Sequence, residues 1–476
     1  MRVLLVNPNR IRPPVAPLGL DYLADALAAR GAEVGVLDLC LEPEAAAAAV
    51  DAFGPDVVGV TLRNTDDCYF GGQDFFLPQV AGVVAELRAA TPAPVVLGGV
   101  GFSVMPEAAL ELCGADLGLR GEGEFAFPVL AAGLAQGRPV DELPGLVRRT
   151  GAGFWANPCA FGDLAELPFP SRSWLDNRRY FREGGQLGFE TKRGCAGRCT
   201  YCADPLAKGD RVRLHAPERV AAELRALLAQ GADHLHTCDS EFNLPFGHAL
   251  AVCEAISAAG LGTRLRWYAY CAPRPFSREL ALAMARAGCA GIDFGADHAD
   301  PGQLARLGRD HGPEDLLGAA EACRAAGIPF LFDLLLGGPG ETRQTLAEAI
   351  SFMRRVDAPR VGLSVGVRVY PGTALAQTAL DEPEGLRPLP GPGGPDLVRP
   401  AFYLSPALGD DLPAVVAELA GDDPRFLFAD PTKKGQNYNY NANRVLEEAI
   451  AAGARGAYWD ILRRLAEGGE PGTPRS

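Results

Sequence analysis

The chain has 476 residues, 48% of them apolar and 22% charged, and a net charge of −14; this is a loop-rich globular composition with room for two to three domains. No apolar run approaches the roughly 20 residues of a membrane helix, and RVLLVNP over residues 2–8 reads as a buried strand with no leader ahead of it, so a cytoplasmic protein is expected. The acidic balance argues against a nucleic-acid partner, which needs a surplus of Lys and Arg on at least one face.

Strand and helix patterns alternate from the start. RVLLVNP is followed by a helix over 17–30, VGVLDL (34–39), a helix over 43–53, DVVGVTL (56–62), a helix over 76–90 and PVVLGG (94–99). A helix over 106–113 then precedes DLGLRGEGE (116–124), which opens the next one. Strict alternation predicts a doubly wound, Rossmann-like α/β domain over 1–140, with a parallel sheet covered on both faces. Ligands of such sheets bind beyond the carboxyl ends of the strands. Those ends carry Asn7-Pro-Asn9, Thr61-Leu-Arg63-Asn64, Gly98-Gly99-Val-Gly101 and Gly121-Glu122-Gly123-Glu124. Small residues at consecutive strand ends let backbone approach something large, unless they serve only as tight turns.

A connector of turns and hairpins is expected over 141–180. A second alternating series follows over 181–380, with strands at 187–193, 234–240, 264–270, 291–295, 329–337 and 360–369 and amphipathic helices between them. Six such repeats predict a partial (β/α)6 barrel of the TIM type, with its chemistry at the carboxyl ends of the strands. The Pro/Gly-rich stretch 382–396 reads as a linker or loop. A small C-terminal α/β segment over 381–476, with one amphipathic helix at 442–467, is expected to cap the barrel mouth over the substrate. Asn437 to Asn441 and Tyr458-Trp-Asp460 are its candidate substrate contacts, or else a polar turn and a core aromatic pair.

Of the twelve cysteines, nine are scattered and three are not. Cys195-Ala-Gly-Arg-Cys199-Thr-Tyr-Cys202 places three thiols on one loop just after the first strand of the second series. Three thiolates suit a [4Fe–4S] cubane with one open iron; a structural zinc would need a fourth ligand, for which His215 and Cys238 are nearest in sequence. At these residues the chain resembles the radical S-adenosylmethionine (SAM) superfamily, with Tyr201 in the aromatic slot of C-x-x-x-C-x-aromatic-C. The resemblance implies that the open iron chelates SAM, and that one electron cleaves it to methionine and a 5′-deoxyadenosyl radical. It also implies an external reductant of the flavodoxin or ferredoxin type. Asp239, Glu241, Asp297, Gly338 and Tyr370, at successive strand ends, are SAM contacts on the same analogy. Each alone reads equally as a turn or cap.

A doubly wound domain ahead of such a barrel is similar to the cobalamin-binding radical SAM group. That likeness implies that Asn9, Thr61, Arg63, Asn64, Gly98, Gly99, Gly101, Gly121, Glu122, Gly123 and Glu124 cradle the corrin. It implies a cobalamin-dependent methyltransferase acting on a carbon of a small molecule of the natural-product kind; rearrangement, cyclisation or decarboxylation is the alternative outcome. None of the six histidines lies in the first 214 residues, so none from this domain can ligate cobalt from below. Arg63 is the candidate for that place, since a guanidinium has no lone pair to offer; pairing with Asp66 or Asp67 is the competing reading. Cys40, Cys68 and Cys113 would match the second cluster of tRNA methylthiotransferases in number, but no cysteine follows the first strand and the charge is acidic. A first domain that only packs, and a cofactor-based sensor, are further alternatives; no output module is recognisable. Tyr268 and Tyr270, on the third barrel strand, are the candidate acid or base.

Overall fold

The computed structural model describes residues 1–43, 46–391, 394–428 and 440–468. In the first sheet β1 (Arg2–Asn7), β2 (Glu33–Asp38), β3 (Val57–Thr61), β4 (Val95–Gly98) and β5 (Leu117–Leu119) run parallel in the order β2-β1-β3-β4-β5. Strands so apolar are buried on both faces: Val3, Leu5 and Val57 meet one helical layer, Leu4, Val6 and Val58 the other. The strand order reverses between β1 and β3, which is where such a sheet opens a crevice for ligands. Thr61 ends β3 at that crevice. β6 (Leu146–Thr150) and β7 (Gly153–Ala156) extend the sheet antiparallel, so it runs past residue 140 into the stretch read as a connector.

β8 (Leu187–Phe189) opens the second sheet and is followed by a two-residue hairpin, β9 (Lys192–Arg193) with β10 (Arg213–Leu214). Then β11 (His234–Thr237), β12 (Arg266–Cys271), β13 (Cys289–Asp297), β14 (Phe330–Leu336) and β15 (Arg360–Val365) lie side by side in sequence order, all parallel. β16 (Val367–Arg368), β17 (Leu386–Arg387) and β18 (Phe402–Tyr403) make a small antiparallel sheet, and β19 (Phe426–Leu427) adds to β15. The result is an open barrel with β8 and β19 as its edges. Strand alternation sorts the side chains. Leu235, Trp267, Ala269, Ile292, Phe294 and Phe332 pack outward under the helices; His236, Tyr268, Tyr270, Asp293 and Leu331 face the interior.

The expected single helix at 442–467 is two, Arg444–Ala451 and Tyr458–Ala466, because Gly453 and Gly456 between them take φ values of 106° and 117°. A Cβ at Gly456 would run into the Tyr268 hydroxyl. The second helix does not cover the mouth as expected. It enters at the amino-terminal end of the strands, where Trp459 packs edge-on against Tyr268 and beside Gly291 and Leu331, forming a floor. Of the expected polar segment, residues 437–439 lie outside the described residues.

Arg172 ties the two sheets together. It is completely buried; its Nε donates to Asp21 Oδ2 at 3.0 Å and its Nη1 to Glu223 Oε1 at 2.6 Å. Asp21 lies on the helix Leu18–Ala28 of the first layer, Glu223 on the helix Pro217–Ala229 beside the barrel. Tyr22 donates its hydroxyl to the same Glu223 oxygen at 2.8 Å. Among the described residues no helix is long and apolar enough to cross a membrane.

Candidate active site

The carboxyl ends of the two sheets face each other across one cavity of about 750 Å³. Thr61, Arg63, Asn64, Gly98, Gly99, Gly121 and Gly123 line it from the first domain; His236, Thr237, Cys238, Tyr270 and Asp293 line it from the barrel, and Tyr440, Tyr458 and Trp459 from the C-terminal segment. A side cavity of about 320 Å³ shares Thr61, Arg63 and Asn64 and is bounded by Asn9. Gly99 and Gly121 have φ of 98° and 79°, so bare backbone edges the crevice. The buried Asn64 Oδ1 has no hydrogen-bond partner; it is an acceptor suited to the amide-fringed rim of a corrin. Arg63 Nη1 donates to Val15 O at 3.3 Å. Asp66 is held by Arg368 at 2.8 Å instead, and among the described residues Arg63 has no carboxylate partner.

Cys195, Cys199 and Cys202 are all partly exposed on the loop between β9 and the short helix Asp204–Lys208. Arg309 points Nη1 at Cys199 Sγ from 3.1 Å, a cation against a ligand that binds iron as an anion. Among the described residues no three or more His, Cys, Asp or Glu side chains, these cysteines included, converge closely enough to hold a single ion. His215 is committed to Glu190, at 3.1 Å, and Cys238 looks into the cavity. The donor set therefore fits a cubane better than zinc.

Around this loop stands a compact polar layer. Tyr201 donates to Asp297 Oδ2 at 2.6 Å, Arg309 Nε lies 3.3 Å from the same oxygen, and Arg309 Nη2 lies 3.5 Å from Glu241 Oε1. Glu241 Oε2 is buried with no partner. Burial, with Asp297 opposite and Arg309 acting against it, pushes Glu241 up to about 7. Gln303, 1% exposed, has neither its amide oxygen nor its nitrogen paired and lies beside Gly338. Unpaired buried groups of this kind mark a place for a polar ligand, and their chemistry suits the ammonium and amide-like edges of SAM.

Several expected contacts are placed otherwise. Asp239 accepts from Thr191 N at 2.8 Å and Thr191 Oγ1 at 2.6 Å, so it fastens the start of the cysteine loop. Tyr370 stands at the domain boundary, its hydroxyl 2.9 Å from Cys68 Sγ and its ring under Arg368. Gly101 packs its backbone against Leu62 O and does not line the cavity. Glu122 and Glu124 line it, but their carboxylates are engaged by Arg213 at 2.6 Å and Arg193 at 2.7 Å. Tyr268 is buried against Trp459 and donates to Asp460 Oδ2 at 3.0 Å, which removes it as an acid or base. Tyr270 keeps its place on the cavity, its ring centroid 4.8 Å from that of His236.

Sequence reasoning missed Arg309, Gln303, His236, Asp293 and Asp333. For the aspartates a signal exists: GIDFG and PFLFDLLLG each carry one carboxylate inside an otherwise apolar strand, at a position whose parity faces inward. Burial lowers His236 to about 4, so its ring is neutral, with Nδ1–H donating to Thr237 O at 2.8 Å.

Two family models match the chain, the B12 binding domain over residues 7–131 and the radical SAM superfamily over 189–353. Tryptophan 2-C-methyltransferase of Streptomyces laurentii is 35% identical over 455 residues, covering 82% of this chain and 76% of that protein. The radical SAM methyltransferase TsrM of Kitasatospora setae, solved with tryptophan and a SAM analogue, superposes with a TM-score of 0.88 at 32% identity over 98% of both chains. The cobalamin-dependent radical SAM enzyme OxsB shares the fold, with a TM-score of 0.69 at 20% identity over 85% of this chain and 64% of its own.

Proposed function

The chain belongs to the cobalamin-dependent radical SAM C-methyltransferases, and from that premise we propose that its substrate is tryptophan or a small tryptophan-like indole, methylated at ring carbon C2. The observation that carries this reading is the single cavity that both sets of strand ends share, walled by Tyr270, Tyr440, Tyr458 and Trp459. Such a wall suits a flat aromatic guest.

When bound, cobalamin supplies a methyl carrier, and the cluster a one-electron centre beside which SAM is held. The residues position and shield these groups. Arg309 offsets the thiolate charge at Cys199 and, with Asp297, fixes Tyr201 across the SAM side of the loop. Glu241 and Gln303, with their unpaired buried atoms, would bind SAM. Thr61, Asn64 and the glycine edges would hold the corrin, and Trp459 closes the barrel against water from below. The electron comes from an external flavodoxin- or ferredoxin-type donor.

Protein purified anaerobically with hydroxocobalamin is expected to carry about four irons and one cobalt per chain. It is expected to move label from methyl-labelled SAM to C2 of L-tryptophan. Label on no indole, with both cofactors present, would overturn the substrate assignment; zinc in place of iron would overturn the cluster.

Arg63, on the cavity wall at the end of β3, would face the bound corrin and, having no lone pair, could not serve cobalt as a ligand. The cobalt(II) electron paramagnetic resonance spectrum of Arg63→Ala should then differ from wild type, with water or a new donor appearing on the axial position. Identical spectra would remove Arg63 from that place.

A further inference from the structure

Of the three loop cysteines, Cys199 alone hydrogen-bonds to a side-chain cation among the described residues. Arg309 Nη1 donates to its Sγ at 3.1 Å, whereas Cys195 Sγ accepts from the neutral backbone Gly197 N at 3.4 Å. The approach is built into the chain. Gly308, at φ 75°, lies so close to the loop that a Cβ there would sit 2.3 Å from Arg198 O and 3.3 Å from Cys199 Cα. Thr200 N donates to Leu307 O at 3.0 Å and fixes the same turn. The Arg309 side chain is 9% exposed; its Nη2 donates to Gly295 O at 2.6 Å and its Nε lies 3.3 Å from Asp297 Oδ2. Glu241 Oε1 stands 3.5 Å from Nη2. A guanidinium gripped on every side keeps its charge on the sulfur. Reduction adds one electron from the external donor, and so one negative charge, to the cluster and its thiolates. A charged N–H on a ligand sulfur favours that state, because hydrogen bonds to the sulfurs and net charge set a cluster's potential. Asp297 works against it from the far side of the guanidinium.

We propose that Arg309 raises the reduction potential of the cluster and that Asp297 limits the rise, so that the pair sets how readily the cluster takes its electron. This rests on the cluster reading given above. Arg309 acts through Cys199 and is a positioning residue: it holds a charge at one ligand sulfur.

The test is a potentiometric titration of the cofactor-loaded enzyme without SAM, following the electron paramagnetic resonance signal of the reduced cluster. Arg309→Gln should change the oxidised-to-reduced ratio at a fixed potential at least tenfold, a midpoint lower by about 59 mV or more, as loss of a charged hydrogen bond implies. Arg309→Lys keeps the charge without the planar fork and should fall between that variant and wild type. Asp297→Asn should move the midpoint the opposite way, upward. Asp297 has φ of 56°, a conformation asparagine adopts readily, so the fold should tolerate that change. Each variant should keep about four irons per chain. Midpoints unmoved in Arg309→Gln and Asp297→Asn, or moved in the same direction, with iron retained, would overturn the proposal. If Arg309→Gln does not hold its iron, Arg309→Lys and Asp297→Asn decide it by the same signs. Wild type without iron would overturn the cluster itself, and this inference with it.

Discussion

Arg172→Met is expected to destabilise the protein by about 3–5 kcal/mol, the cost of leaving buried carboxylates without their cation. Asp21 has no exposed side-chain surface and Glu223 has 5%. Burial already raises both above the ordinary carboxylate range, against the pull of Arg172. Removing the guanidinium removes that pull, so both climb further, and the variant folds most easily with them protonated. The loss relative to wild type is therefore full at neutral pH and shrinks as the pH falls through the carboxylate range. Urea midpoints for both proteins across that range check the sign. Arg2→Met breaks a pair whose side chains are 41% and 62% exposed and should cost no more than about 1 kcal/mol. A uniform loss at every pH would mean that packing, not charge, is what Arg172 supplies.

Cys199→Ala is expected to empty the barrel of iron and to lower methyl transfer by at least about a thousandfold, because no side chain substitutes for the cofactor. Cobalt should remain near one per chain, since the first domain's crevice is untouched. The thiol is partly exposed on its loop, and Arg309 keeps Asp297 and Gly295 O as partners, so the fold should survive. Cys238→Ala is the control: that thiol lines the cavity and is not one of the three loop cysteines, and its removal should leave the iron in place. Iron and cobalt analysis of the two variants decides it. Iron retained in Cys199→Ala would move the ligand set elsewhere.

Much of the architecture is legible in the sequence because parallel strands buried on both faces read as short apolar runs between helical patterns. The three clustered cysteines are equally plain, being local. What escapes is whatever depends on partners distant in sequence. Arg172 meets Asp21 across 151 positions and Glu223 across 51, with nothing local to announce either. Glu122 and Glu124 sit at the right strand end for a corrin contact, yet Arg193 and Arg213 from β9 and β10 reach them first. Tyr268 and Tyr270 share a parity and cannot be told apart in the sequence, until a helix beginning at residue 458 covers one of them. The break at Gly453 and Gly456 is hidden by the apolar periodicity that continues across it.

The floor under the cavity comes from a helix that supplies neither the cluster ligands nor the crevice of the first sheet. The depth left for a guest is thus decided by Trp459, on an element that can change while the strands stay as they are. Guest size and bond-making chemistry are consequently separate heritable traits here: drift at one helix position can widen or narrow the range of acceptable molecules, and the cofactor apparatus passes down intact.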